Sequence, residues 1–416
     1  MIEGDVSWYP SLVVAPTSSK APTPAVVVGL CTHGLAIVRS LARKGVPVVA
    51  LESNLDVPGR RTRYADAVVA TDLNGPPLIQ DLVRLRERFS EDPVLFLTND
   101  NMVRVVADGF AEIHTRYKLN WSDPDVVRTL LDKREIESIA RSNGLGYPRS
   151  FLIAGVEDVG RLRGEWRFPM AFKPTKPLSG FKAMKIESEE QLVRELRRFQ
   201  GRIGQFLLQE WVTGMEPSIY FANFYFDQEQ RPLASFVGRK VRSFPRNLGG
   251  ACSAEPADRP DIVEEALRFL RSVPVRGPAS LEIKEDDSGR RFVIEPTIGR
   301  FDFYILCCIA NGVDFPYVSY LHQTGGALGA PPAQTRGRGR LWVDFQSDFP
   351  ALLSSWGIPG AGREAVEFVT RRKVFALWAW DDAMPSIWAW PRSAGRLLGR
   401  VARKAARMLG RSLHRG

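Results

Sequence analysis

Between Ala25 and Ser53 the chain runs strand, glycine turn, helix, strand, an order that few folds accept. AVVVGL (Ala25–Leu30) is a continuous apolar run, the pattern of a parallel strand buried on both faces. Thr32, His33 and Gly34 form the turn, and LAIVRSLARKG (Leu35–Gly45) has helical apolar spacing with a glycine stop. VPVVALES (Val46–Ser53) is the next strand. Parallel strands need such a crossover, so the unit demands a layered α/β domain.

The pattern repeats in AVVATD near residue 70, a helix over Pro77–Ser90 and the strand PVLFLTND (Pro93–Asp100). A doubly wound, Rossmann-like domain is therefore expected over residues 25–120, after a Pro/Ser/Thr-rich mobile leader, 1–24. The turn G-L-C-T-H-G lacks the third glycine of the dinucleotide fingerprint. Tight turning explains these glycines better than NAD binding.

From Ser122 the character changes. SDPDVVRTLLDKREIESIARSNG carries an N-cap signal, helical spacing and a glycine stop. Strands then alternate irregularly with two helices, so an α+β domain is expected over 121–325. Residues 326–340 read as a Gly/Pro/Arg-rich linker, 341–391 as a small Trp-rich C-terminal lobe, and 392–416 as a basic amphipathic helix.

Charge sharpens that last boundary. The chain holds 57 Lys+Arg against 47 Asp+Glu, but eight of the basic residues follow Pro391 with no acid among them. The body is near neutral, which leaves no matching groove for nucleic acid. Arg392, Arg396, Arg400, Arg403, Arg407, Arg411 and Arg415 recur at helical spacing beside a narrower apolar stripe. Two readings stand: a solvated helix, or peripheral contact of residues 392–416 with the anionic inner face of a membrane. Four cysteines without a C-x-x-C pair, an acidic aromatic start and no bilayer-length apolar run predict a reducing, cytoplasmic location.

Three segments have the residue types for phosphate chemistry. SLEIKEDDSGRRFVIEP places Glu282 and Glu295 on strands flanking a turn, where two carboxylates can share one face. Such a pair calls for a cation or a shared proton, unless both acids simply face water. FPMAFKPTKPLSGFKAMKI sends Lys173 off an apolar strand into a loop containing Gly180. That loop could close over phosphates, or be an ordinary hairpin. FLLQEWVTGMEPSIY delivers Glu210 and Glu216 on a strand and turn. The four scattered histidines support neither a metal site nor a triad.

Taken in order, Asp132-Lys133, F-P-x-x-x-K-P at Phe168–Pro174, Q-E-W-V-x-G-x-E at Gln209–Glu216, and paired Glu282 and Glu295 resemble the ATP-grasp ligases. G-R-K-V-R (Gly238–Arg242) and E-P-T-I-G-R (Glu295–Arg300) are most similar to a carboxylate–amine ligase branch, over roughly residues 25–320. The resemblance implies a doubly wound pre-ATP-grasp domain, then an ATP-grasp domain. It implies that Lys133 and Lys173 contact ATP phosphates under the Gly180 loop. Glu210, Trp211 and Val212 would form the adenine hinge, and Glu216 would take the ribose. Glu282, Glu295 and Thr297 would hold Mg²⁺, with Mn²⁺ as a substitute. Arg300, with Lys240 or Arg242, would stabilise the transferring phosphoryl group and the acyl phosphate.

The implied activity is ADP-forming ligation of a small carboxylate, amino acids included, to an amine or thiol; family members are often dimers. One departure stands out: Thr297 replaces the Asn of the family's acid-x-Asn, and the arginine is offset to Arg300. A threonine hydroxyl is a weaker Mg²⁺ ligand. The alternative is therefore a non-catalytic MgATP-binding partner docked at a membrane through its basic helix.

Overall fold

The computed structural model describes residues 22–175, 183–199, 206–246, 249–354 and 361–391. Most of the expected leader, the loop with Gly180 and the basic segment 392–416 lie outside the described residues.

Strands β1 (Ala25–Val28), β2 (Val48–Glu52), β3 (Asp66–Val69) and β4 (Val94–Leu97) form a parallel sheet in the order β3-β2-β1-β4. Every residue of β1 is buried, as its unbroken apolar run requires. Helix α1 (Thr32–Ala42) begins earlier than the apolar spacing indicated, so His33 and Gly34 lie in its first turn. A Cβ on Gly34 would stand 2.0 Å from the Gly29 carbonyl oxygen. Only glycine lets the helix start this close to the strand end.

The long helix expected after Ser122 is two helices, Pro124–Leu131 and Lys133–Ser142. Asp132 is extended between them and caps the second, accepting from the Arg134 N–H at 2.9 Å. Lys133 thus opens a helix.

Strands β5 (Ser150–Ile153), β6 (Met170–Pro174), β7 (Met184–Ile186) and β8 (Phe206–Glu210) make a small antiparallel sheet, order β5-β8-β6-β7. Its own core is aromatic, with Phe172 stacked on Phe206 at 4.4 Å. Strands β9 (Ile219–Phe226), β10 (Pro232–Phe244), β11 (Gly250–Pro256), β12 (Gly277–Glu285), β13 (Arg291–Ile298), β14 (Leu341–Val343) and β15 (Lys373–Phe375) form the large sheet, order β13-β12-β9-β10-β11-β14-β15. It is antiparallel except where β14 meets β15.

The Trp-rich stretch therefore does not stand apart as a lobe. Trp342 on β14 is fully buried and packs edge-on against Phe303 and Tyr304. Two apolar cores join the parallel sheet to the large sheet: one cluster runs into β9 and β12, another into the helices Ile305–Ala310 and Phe315–Thr324. Among the described residues no helix is long and apolar enough to cross a membrane.

Candidate functional site

Glu282 on β12 and Glu295 on β13 are register partners, as are Ser280 and Thr297. Antiparallel partners share a face, so both acids and the threonine point to one side of the sheet. A bulge follows Glu282, the kind of irregularity that re-aims a side chain. Glu295 is exposed, Glu282 half-buried and Thr297 buried.

A cation already occupies this face. Lys240 Nζ donates to Glu282 Oε2 at 2.9 Å, reaching across β9 from β10. Tyr304 Oη donates to the other Glu282 oxygen at 3.4 Å, and its ring stacks on Phe221 at 4.0 Å. Arg242, two residues on, goes elsewhere: a register shift separates it from Lys240, and its guanidinium is buried in a two-point ion pair with Asp348 at 2.8 and 2.7 Å. Of the two cations open at the sequence level, Lys240 stands at the carboxylate and Arg242 holds the helix Phe345–Ser354.

Arg300 leaves β13 toward the parallel sheet, where its Nε donates to Asp100 Oδ1 at 2.6 Å. Asp302 is buried beneath, accepting from Ser280 Oγ at 3.2 Å and the Phe303 N–H at 2.6 Å. Burial, then the negative charge of Glu282, push its carboxyl up to about 6. His33 comes to the same cleft, edge-on to Phe303 at 5.5 Å, with Nε2 2.6 Å from the Thr98 carbonyl oxygen. Cys31 Sγ lies 3.3 Å from that ring nitrogen. Burial raises a thiol, but the His33 charge and its hydrogen bond, with help from Gly34 and Thr98, bring Cys31 down to about 7.

The hinge lies between the two antiparallel sheets. Lys173 Nζ donates to Gln209 Oε1 at 2.8 Å, and Gln209 in turn donates to Ser150 Oγ at 3.0 Å. Glu210 ends β8 with its backbone N–H bonded to the Arg149 carbonyl at 2.8 Å. Trp211 lies between Lys185 and Lys284, whose ammonium groups are 5.4 and 5.8 Å from its ring centre. Lys284 Nζ donates to the Val212 carbonyl at 2.8 Å, and its burial lowers its pKa. Glu216 is buried, accepting from Ser243 Oγ and facing Arg246 at 3.5 Å.

The structure thus brings together Glu282, Glu295, Thr297 and Lys240, with Arg300 close enough to feel the charges of Asp302 and Glu295. Through Lys284 it ties the hinge to the strand of Glu282. Lys133 lies at its helix start, where its carbonyl accepts from Tyr147 Oη at 3.4 Å. Lys284, Asp302, Tyr304 and the Cys31–His33 pair were not singled out as site residues from sequence. The usable signal for Lys284 was its place two residues after Glu282, on the same face of an apolar strand.

The donor set can be compared with what Mg²⁺ requires. Among the described residues no group of three or more His, Cys, Asp or Glu is placed to hold a metal unaided. Two carboxylates whose shell is completed by phosphate oxygens is the arrangement that suits Mg²⁺ with a nucleotide. Glu282, already drawn to an ammonium at 2.9 Å, is a position that takes positive charge.

No family model matches the chain. A D-alanine–D-alanine ligase of Pseudomonas entomophila is 20% identical over 202 residues, which is 44% of this chain and 61% of that ligase. One from Pseudomonas putida aligns over the same shares at 20% identity. The chain thus spans about three fifths of the length of these relatives. Among solved structures, N5-carboxyaminoimidazole synthetase of Staphylococcus aureus superposes with a TM-score of 0.62 at 14% identity, covering 82% of this chain and 87% of that one. An L-amino acid ligase from Bacillus licheniformis gives 0.56 at 15% identity, covering 76% of each. The order of elements, the sheet topology and these likenesses agree: the chain has the fold of these synthetase and ligase structures.

Proposed function

We propose that the chain is an ATP-dependent, ADP-forming ligase that joins a small carboxylate, amino acids included, to an amine or thiol. The observation that carries the reading is the in-register pair Glu282 and Glu295 beside Lys240, linked through Lys284 to a hinge below an antiparallel sheet. The likeness to D-alanine–D-alanine ligases and to an L-amino acid ligase supports it. So does a purK neighbour solved as an ADP complex.

In this reading Glu210, Trp211 and Val212 form the adenine hinge, and Glu216 takes the ribose. Lys173 and Lys133 draw in the phosphates. Glu282 and Glu295, with Thr297 as a neutral oxygen, would hold Mg²⁺ (or Mn²⁺), which neutralises phosphate charge when bound. The substrate carboxylate oxygen attacks the γ-phosphorus, the bond to ADP breaks, and an acyl phosphate forms. Lys240 and Arg300 provide positive charge where negative charge accumulates. The amine then attacks the acyl carbon, phosphate leaves, and the amine's surplus proton departs.

The test is ADP release by the purified chain with MgATP and pools of amino acids and small carboxylates. Pool-dependent ADP supports the ligase. MgATP binding without turnover on any pool favours the non-catalytic reading, which the Thr297 departure would then explain. Homodimerisation is a separate proposal, for sedimentation to decide. Peripheral membrane contact through residues 392–416 is a separate proposal too.

A further inference from the structure

The last described segment, 384–391, is helical and firmly seated. Asp382, just before it, is buried and accepts from Arg39 Nε at 2.9 Å, Thr62 Oγ1 at 2.7 Å and the Arg63 N–H at 3.0 Å. Asp381 pairs with Arg43 at 2.6 Å and accepts from Tyr64 Oη at 2.8 Å. The Arg61 guanidinium lies 4.0 Å from the Trp388 ring centre. Pro385 and Ala389 face inward and are buried. At about 100° per residue that fixes the outward arc as Met384, Ile387, Trp390 and Pro391.

That arc is apolar where a solvated helix would be polar. Met384 is 53% exposed, Ile387 54% and Trp390 64%, and Trp380 in the preceding turn is 86% exposed. Arg61 and Arg63, both exposed, lie on the segment that holds this helix, Arg61 against the Trp388 ring and Arg63 through its N–H on Asp382. The sequence that continues from it, 392–416, adds eight Lys or Arg and no acid. Exposed tryptophans bordered by arginines match the boundary between headgroups and acyl chains, where an indole is apolar in body and polar at one edge.

We propose that Trp380, Met384, Ile387 and Trp390, together with Arg61 and Arg63, form a docking surface for an anionic lipid bilayer. The apolar arc enters the headgroup boundary, and Arg61 and Arg63 meet lipid phosphates. Among the described residues no helix is long and apolar enough to cross a membrane, and the contact proposed is peripheral. It is independent of the ligase reading, since none of these residues belongs to the cleft.

The experiment is co-sedimentation of the full chain with phosphatidylglycerol/phosphatidylcholine vesicles and with phosphatidylcholine alone, at low and high salt. Two variants are compared: Trp380→Ser/Ile387→Asn, and deletion of residues 392–416. Binding to the anionic vesicles, at least about tenfold weaker for the double variant and still measurable without 392–416, supports the proposal. Quenching of tryptophan emission by brominated acyl chains, lost in the double variant, would place the arc in the boundary. The proposal is overturned if the chain does not bind anionic vesicles. It is equally overturned if the double variant binds like the parent, or if it abolishes a dimer seen by sedimentation without lipid, since the arc would then be an interface between copies.

Discussion

Lys240 places its ammonium 2.9 Å from Glu282 although a whole strand, β9, runs between theirs. It can do so because Gly238 stands opposite Phe221, which itself stands opposite Glu282, and a Cβ at Gly238 would lie 2.3 Å from the Phe221 ring. Phe221 fills that gap and carries Tyr304 on its face. Lys240→Met keeps the stem packed and removes the charge. Turnover is expected to fall at least about a hundredfold, the loss typical when a preorganised charge is removed, with little change in melting temperature. Full activity in Lys240→Met would remove this residue from the chemistry.

Glu295→Gln tests the carboxylate pair from its other side. Glu295 is exposed, so the exchange should leave stability within about 0.5 kcal/mol. Metal-dependent turnover should be lost, and the concentration of Mg²⁺ needed for any residual activity should rise. Unchanged activity at ordinary Mg²⁺ would contradict the assignment of Glu295 as a ligand.

Arg242 should behave differently from its neighbour. Its ion pair with Asp348 is buried on both sides, so Arg242→Met leaves an uncompensated carboxylate. A loss of about 3–5 kcal/mol is expected by urea or thermal unfolding. The double variant Arg242→Met/Asp348→Leu should recover much of it. A single variant as stable as the parent would show that the pair does not hold the helix Phe345–Ser354 in place.

Cys31 gives a prediction in pH. Its thiol lies near 7, below the ordinary value, so the thiolate is populated at lower pH than in a free cysteine. Cys252, Cys307 and Cys308 are buried and shifted the other way. Iodoacetamide should therefore label Cys31 first, with a rate that rises through about pH 7. Since burial raises this thiol and His33 is the main group that lowers it, His33→Asn should move that midpoint up, to the free-cysteine value of about 8.5 or beyond. A midpoint that ignores His33 would refute the pairing.

Much of the frame is legible in the chain because it is written in short-range patterns. The apolar run of Ala25–Val28 and the turn between Glu282 and Glu295 each specify an element, and both elements form where expected. The alternation alone does not set the hairpin register: counting back from the turn would pair Glu282 with Ile294, and the bulge after Glu282 is what brings Glu295 opposite it. What the pattern does not carry is contact across strands and domains. Lys240 and Arg242 sit in one motif with equal claims, and only the shift between them and the presence of Asp348, more than a hundred residues away, separates their roles. Lys284, Asp302 and the Cys31–His33 pair owe their importance to neighbours of the same remote kind. Residues 341–391 show the same limit: a tryptophan-rich stretch looks self-contained, yet Trp342 completes the core behind Tyr304.

The claim at the centre is that the substrate carboxylate attacks ATP to give an acyl phosphate at Glu282 and Glu295. The direct measurement uses an amino-acid pool labelled with ¹⁸O in the carboxylate, with MgATP, and mass analysis of the phosphate released. One ¹⁸O per phosphate, matched to ADP and to a new amide or thioester, is the predicted result. Unlabelled phosphate, or AMP and pyrophosphate in place of ADP, would contradict it.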